Sequence, residues 1–189
     1  MNAILPTEKS YLKLSTFDLY KSRIPWLLLL MVSATFTGKI IEHYEESLAS
    51  MVILTAFIPM IMDTGGNAGG QSSATIIRSL SLNDIEFKDL IKVVFKEIRV
   101  AFFVGLTLAA ANFVKLMLID KVSPLVAGVV CATVVLTVCI AKVIGCSLPI
   151  IAKKIGFDPA VMASPFITTI VDAVSLFIYF RIAVELLHI

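Results

Sequence analysis

The feature that most limits how this chain can fold is a series of apolar runs long enough to cross a bilayer, one of them interrupted at its middle. The interruption, PMIMDTGGNAGGQSSA from Pro59 to Ala74, puts Asp63, Thr64, Asn67 and Gln71 at a depth where lipid is expected on both sides. A residue such as Asp63 costs ~2.5–3.5 kcal/mol at a bilayer centre, so its presence there calls for a role. Gly65, Gly66, Gly69 and Gly70 weaken a helix but let another backbone approach closely.

The 189 residues are 58% hydrophobic, against ~45–50% in soluble domains, which places the chain among integral membrane proteins. The expected fold is all-α, with five transmembrane helices. The first apolar run lacks the short core and cleavage site of a signal peptide and is expected to remain in the mature protein. Cys131, Cys139 and Cys146 share one apolar stretch, have no metal-ligand spacing with His43 or His188, and read as buried small hydrophobes.

Residues 1–23 mix Tyr11, Leu12, Phe17 and Tyr20 with Lys9, Lys13, Lys21 and Arg23, an amphipathic, basic helix expected along the cytoplasmic surface. A five-helix pore domain follows over residues 24–189. Its first span covers residues 24–41, with Pro25 in a first turn and Trp26 at the interface. The second covers residues 47–78, ~48 Å if wholly helical, so it must tilt, protrude or break, with Pro59 and the Gly65/Gly66 pair as the expected places. An amphipathic segment over residues 81–99 leads into the third span, residues 100–119. The fourth covers residues 124–148, and the loop LPIIAKKIGFDP leads to a fifth from residue 160 to the end, entered through Pro165.

Lys9, Lys13, Lys21, Arg23, Arg78, Lys88, Lys92, Lys96, Arg99, Lys142, Lys153 and Lys154 fall on one side of this topology. Only Lys39, Lys115, Lys121 and Arg181 fall on the other. The positive-inside rule then places the N-terminus in the cytoplasm and the C-terminus outside an inner cell membrane.

Asp63, Asn67 and Gln71 recur every four residues and share one helix face, with Gly66 and Gly70 beside it. Gly66-xxx-Gly70 alone is explained by plain packing; with an acid and two amides it reads as the lining of a polar path. On the last span Ser164, Thr168, Asp172, Ser175 and Tyr179 form a second stripe at intervals of three and four. Asp172 has nothing basic near it in sequence, which suggests a cation site, the plainer alternative being a protonated carboxyl bonded to hydroxyls. The donors are all oxygens, which suits a hard cation; so few carboxylates suit magnesium, which keeps much of its water. Glu97 and Asp158 are further acids near the expected mouth, each explained on its own by solvation or capping. No nucleophile has a neighbouring base and no Walker or Rossmann glycine pattern appears, so no enzymatic activity is expected.

PMIMDTGGNAGGQSSATIIRSL, VVFKEIRVAFFVGL and GCSLPIIAKKIGFDPAVMASPFITTIVDAVSLFIYF together resemble the transmembrane domain of the MgtE-type magnesium channels and transporters. The likeness covers nearly the whole chain from about Tyr11. It implies a homodimer, surrounded by membrane lipid and without a nucleic-acid partner, whose pore lies at the dimer axis between the second and fifth helices of both copies. It also implies that Asp172 faces a hydrated Mg2+, helped by the Thr168 carbonyl, and that Asp158 sits near the cytoplasmic mouth where a further ion binds. Asn67 with Gly65, Gly66 and Gly69 would form the close-packed wall, with Asp63, Ser164 and Ser175 lining the pore beside it. Members of the family usually carry a soluble N-terminal domain and a CBS-domain pair; residues 1–23 correspond only to the end of the helix joining those to the pore.

The expected function is a divalent cation channel, with magnesium the best fit and other divalent cations open. The alternatives are a secondary transporter exchanging the cation for Na+ or H+, and a non-conducting scaffold whose Gly66/Gly70 face only packs helices.

Overall fold

The computed structural model describes residues 11–189, with side chains described outside Tyr11 and 161–165. Six α-helices follow in order: α1 (Thr16–His43), α2 (Glu45–Ser50), α3 (Ile58–Ser81), α4 (Leu90–Leu118), α5 (Pro124–Lys154) and α6 (Pro159–Leu187). No strand occurs among the described residues, in keeping with the all-α expectation.

Ser15 opens α1 with a reciprocal capping box, its hydroxyl accepting from the Asp18 N–H while Asp18 accepts from the Ser15 N–H. From there α1 runs unbroken through Pro25, so the basic segment over residues 16–23 and the first apolar run form one rod. Of the surface helix expected over residues 1–23, residues 1–10 lie outside the described residues.

The long second segment does break, but not at the glycines. α2 ends at Met51, whose φ of −141° and ψ of 74° leave the helical region, and a 3-10 turn over Val52–Phe57 re-aims the chain into α3. Pro59 then stands in the first turn of α3, where its missing N–H costs nothing. Gly65 and Gly66 lie inside a continuous helix. Buried Tyr179 on α6 fixes the 3-10 turn, donating its hydroxyl to the Leu54 carbonyl at 2.9 Å. An apolar cluster including Leu54, Phe57, Leu116, Val126 and Phe180 surrounds it.

At the opposite end Ile76, Leu80, Cys146 and Ile150 pack with Ile85, Leu90 and Val94. There Lys153 donates to the Leu80 carbonyl at 2.7 Å, reinforcing the Asn83 N–H that this carbonyl also accepts at the end of α3. Lys154 stands 3.6 Å over the Phe87 ring. The expected loop LPIIAKK is instead the last part of α5, with Pro149 buried inside the helix. Only Ile155–Asp158 connects α5 to α6, turning at Gly156 with φ +83°.

α5 is the central helix, packed against α3, α4 and α6, whereas α1 leans mainly on α6. Small residues set these contacts: Ala101, Gly105 and Ala109 are the buried stripe of α4, and a Cβ on Gly105 would meet the Val135 backbone at 3.2 Å. Among the described residues, three helical segments are long and apolar enough to cross a membrane: Thr16–His43, Phe87–Leu118 and Pro124–Lys154. At 24 residues α3 reaches ~36 Å, long enough to span, but its polar stripe lowers its apolarity below that of the other three.

Candidate metal-binding groove

α3 has two faces of different character. Ile61, Gly65, Ala68, Gly69, Ser72, Ile76 and Leu80 are buried. Asp63, Asn67, Gly70 and Gln71 are exposed on the other side, as the four-residue spacing predicts. Across from them α6 presents Thr168 and Asp172. Together these residues line a groove of about 1140 Å³, whose floor includes Pro59, Met62, Gly66 and Ile167.

The two stripes expected from the sequence therefore meet in one concavity. Asp63 and Asp172 both line it, one from each helix. Two like charges in a partly apolar groove repel, and a cation between them relieves that repulsion. Asn67, Gln71 and Thr168 add neutral oxygens, so the donor set is two carboxylates with amide and hydroxyl groups. No cluster of three or more His, Cys, Asp or Glu side chains occurs among the described residues. A hard, strongly hydrated cation suits so sparse a set, since most of its ligands would be water.

The stripe on α6 divides. Thr168 and Asp172 line the groove, but Ser175 and Tyr179 turn into the protein and are 1% and 0% exposed. The Ser175 hydroxyl donates to the Val171 carbonyl at 2.5 Å and sits against Gly65. A three-residue step rotates Ser175 about 60° from Asp172, enough to move it from groove to core, whereas Tyr179 keeps nearly the face of Asp172 but stands ~10 Å further along the helix, beyond the groove lining. The side chain of Ser164 lies outside the described residues.

The glycines divide similarly. Gly66 and Gly70 border the groove, while Gly65 and Gly69 face the protein. A Cβ on Gly65 would come within 2.7 Å of Thr137 and 2.8 Å of Val171, and one on Gly69 within 2.8 Å of Ile167. The close-packed wall is thus behind the groove, where α3 beds on α5 and α6. Asp158 caps α6, its carboxylate accepting from the Ala160 N–H at 2.8 Å. It is exposed and does not line the groove.

Sequence reading placed Lys142 in a cytoplasmic connection. It lies instead well inside α5, 5% exposed, with its ammonium 3.3 Å from the Ser72 hydroxyl and 3.7 Å from the Glu97 carboxylate. Ser72 in turn donates to Glu97. Glu97 is therefore an internal, paired acid, not one at an open mouth. The signal was present, since Lys142 stands deep in a run of apolar residues with no acid near it in sequence, but the partner comes from another helix.

The family model described as MgtE, divalent cation transporter, matches residues 58–182, from the first turn of α3 through most of α6. The magnesium transporter MgtE of Bacillus subtilis is 36% identical over 166 residues, covering 88% of this chain and 37% of that protein. The magnesium transporter MgtE of Thermus thermophilus is 34% identical over 174 residues, 90% of this chain and 37% of that protein. That of Enterococcus faecalis is 35% identical over 164 residues, 85% and 35% respectively. The chain thus spans little more than a third of the length of these curated relatives.

Proposed function

The chain belongs to the MgtE family of divalent cation transporters, and from that premise we propose that it conducts magnesium across the membrane down its electrochemical gradient. The observation that carries this reading is the meeting of Asp63 and Asp172 across one groove, beside Asn67, Gln71 and Thr168. The relatives from B. subtilis, T. thermophilus and E. faecalis are named magnesium transporters, which supports magnesium as the cargo.

In this reading α3 and α6 join α1, α4 and α5 as membrane spans, five in all, with the N-terminus cytoplasmic and the C-terminus outside. The groove is open along one side in a single chain. A second copy related by a two-fold axis closes it into a pore, the isologous arrangement by which homodimers commonly assemble. Asp172 holds the hydrated ion by its charge, Asp63 reinforces the field, and the amides of Asn67 and Gln71 accept hydrogen bonds or donate to its waters. The Thr168 carbonyl supplies a further oxygen. Asp158 caps α6 and adds negative charge at the entrance.

Purified protein in liposomes, loaded with a magnesium-sensitive dye, tests the reading. Uptake driven by a magnesium gradient alone, without a sodium or proton gradient, is the expected result. Absence of uptake unless a counter-ion gradient is imposed would replace the channel by an exchanger, and absence under every condition would remove the transport function.

A further inference from the structure

The face of α3 turned away from the groove is built largely from small residues: Gly65, Ala68, Gly69 and Ser72 are buried in sequence along it. Such a face allows close approach, as the contact of Gly69 with Gly145 on α5 demonstrates. Between Ile61 and Ile76 this stretch offers few projecting side chains to interlock, so directional polar contacts there add to what close packing fixes. One polar feature supplies such contacts. Ser72, 2% exposed, donates its hydroxyl to Glu97 on α4 and accepts from the Lys142 ammonium on α5.

The geometry points to Glu97 and Lys142 as positioning residues that, through Ser72, fix the rotation of α3 and so hold Asn67 and Gln71 toward the groove. Three properties carry this. Lys142 and Glu97 form an ion pair at 3.7 Å with side chains only 6% and 15% exposed, so their attraction is poorly screened. The hydroxyl of Ser72 uses both its donor and its acceptor capacity on charged partners, and such bonds are stronger and more directional than neutral ones. Ser72 also lies next to Gln71 and Ser73 in the chain, and both of these line the groove. A rotation of α3 that breaks the Ser72 contacts therefore moves the groove lining directly.

A well-packed apolar pair at these positions would satisfy lipid-depth packing at less desolvation cost. What the charged pair adds is register. The ion itself is not touched by either residue, since neither Glu97 nor Lys142 lines the groove.

The proposal's flux readout rests on the transport reading above, so its test includes a readout that does not. Glu97→Gln and Lys142→Met are compared with the neutral double variant Glu97→Gln/Lys142→Met and the charge-swapped Glu97→Lys/Lys142→Glu. In the swap, Ser72 can exchange its donor and acceptor roles. Each is assayed for magnesium uptake in liposomes and for the reactivity of Gln71→Cys toward a water-soluble thiol reagent, with Cys131, Cys139 and Cys146 replaced by alanine.

The single and neutral double variants should lose about tenfold in uptake rate and change Gln71→Cys reactivity by a similar factor, while the swap restores both to within about threefold of the parent, the pattern of a coupled pair. If a single variant does not fold, the double and swapped variants carry the same comparison. Parental uptake and parental Gln71→Cys reactivity in the folded neutral double variant would overturn the proposal, as would a folded swap that recovers neither. A parent that takes up no magnesium defeats the transport reading alone, and the thiol reactivities still decide whether the pair orients α3.

Discussion

Gly145 of α5 lies directly on the backbone of Gly69 of α3, so close that a methyl group on Gly145 would overlap the Gly69 carbonyl. A side chain on Gly145 would force α3 and α5 apart, and one on Gly69 would press into Ile167 of α6. The groove-bearing helix is thereby held as near to the central helix as two backbones allow.

Gly145→Ala should therefore destabilise the protein by ~1–3 kcal/mol, the usual cost of overpacking a filled contact. Gly128→Ala, on the same helix but with nothing within 4 Å of its would-be Cβ, should be neutral or stabilising by up to ~1 kcal/mol, because alanine is the better helix former. Thermal unfolding of the two variants in the same detergent checks the contrast. Equal melting temperatures would mean that the Gly69–Gly145 contact is not a packing constraint.

Removing charge from the groove should act on transport and not on folding. Asp172→Asn is expected to lower magnesium uptake at least tenfold, about 1.4 kcal/mol of lost ion stabilisation, and Asp63→Asn to lower it less. Both variants should melt at or above the parental temperature, since each removes one of two like charges that share a partly apolar groove. An Asp172→Asn protein with parental uptake would remove this residue from the ion path.

Tyr179→Phe separates the fold from the groove. Loss of the hydroxyl leaves the buried Leu54 carbonyl without its donor, which should cost ~1–3 kcal/mol. Uptake measured well below the melting temperature should stay at the parental rate, because Tyr179 is fully buried and does not line the groove. A large loss of uptake with an unchanged melting temperature would contradict that placement.

Asp158 has two candidate roles that substitution can separate. Asp158→Asn keeps an oxygen to accept from the Ala160 N–H but removes the charge; Asp158→Ala removes both and should cost ~0.5–2 kcal/mol of stability. If the residue only caps α6, Asp158→Asn should match the parent in both melting temperature and the magnesium dependence of uptake. A weaker magnesium dependence in Asp158→Asn would assign it a part in ion binding.

The amino-acid pattern by itself determined the membrane class, the helical periods and the faces on which Asp63, Asn67, Gln71, Thr168 and Asp172 stand. These follow from apolar run length and from the 3.6-residue repeat, both of which are local properties of the chain. It also carried the family resemblance, which the match over residues 58–182 establishes. Only the tertiary structure decided that Ser175 and Tyr179 belong to the core, because a stripe drawn at intervals of three and four is wide enough and long enough to run out of the groove. The same holds for the glycines: Gly65 and Gly69 differ from Gly66 and Gly70 by one position each, and only the packing of α5 shows which pair is pressed against a neighbour. Lys142 was read as a loop cation because a charge rule counts residues along the chain. Its partners, Ser72 and Glu97, are 70 and 45 positions away, and no local pattern encodes a pairing that exists only once three helices are packed together.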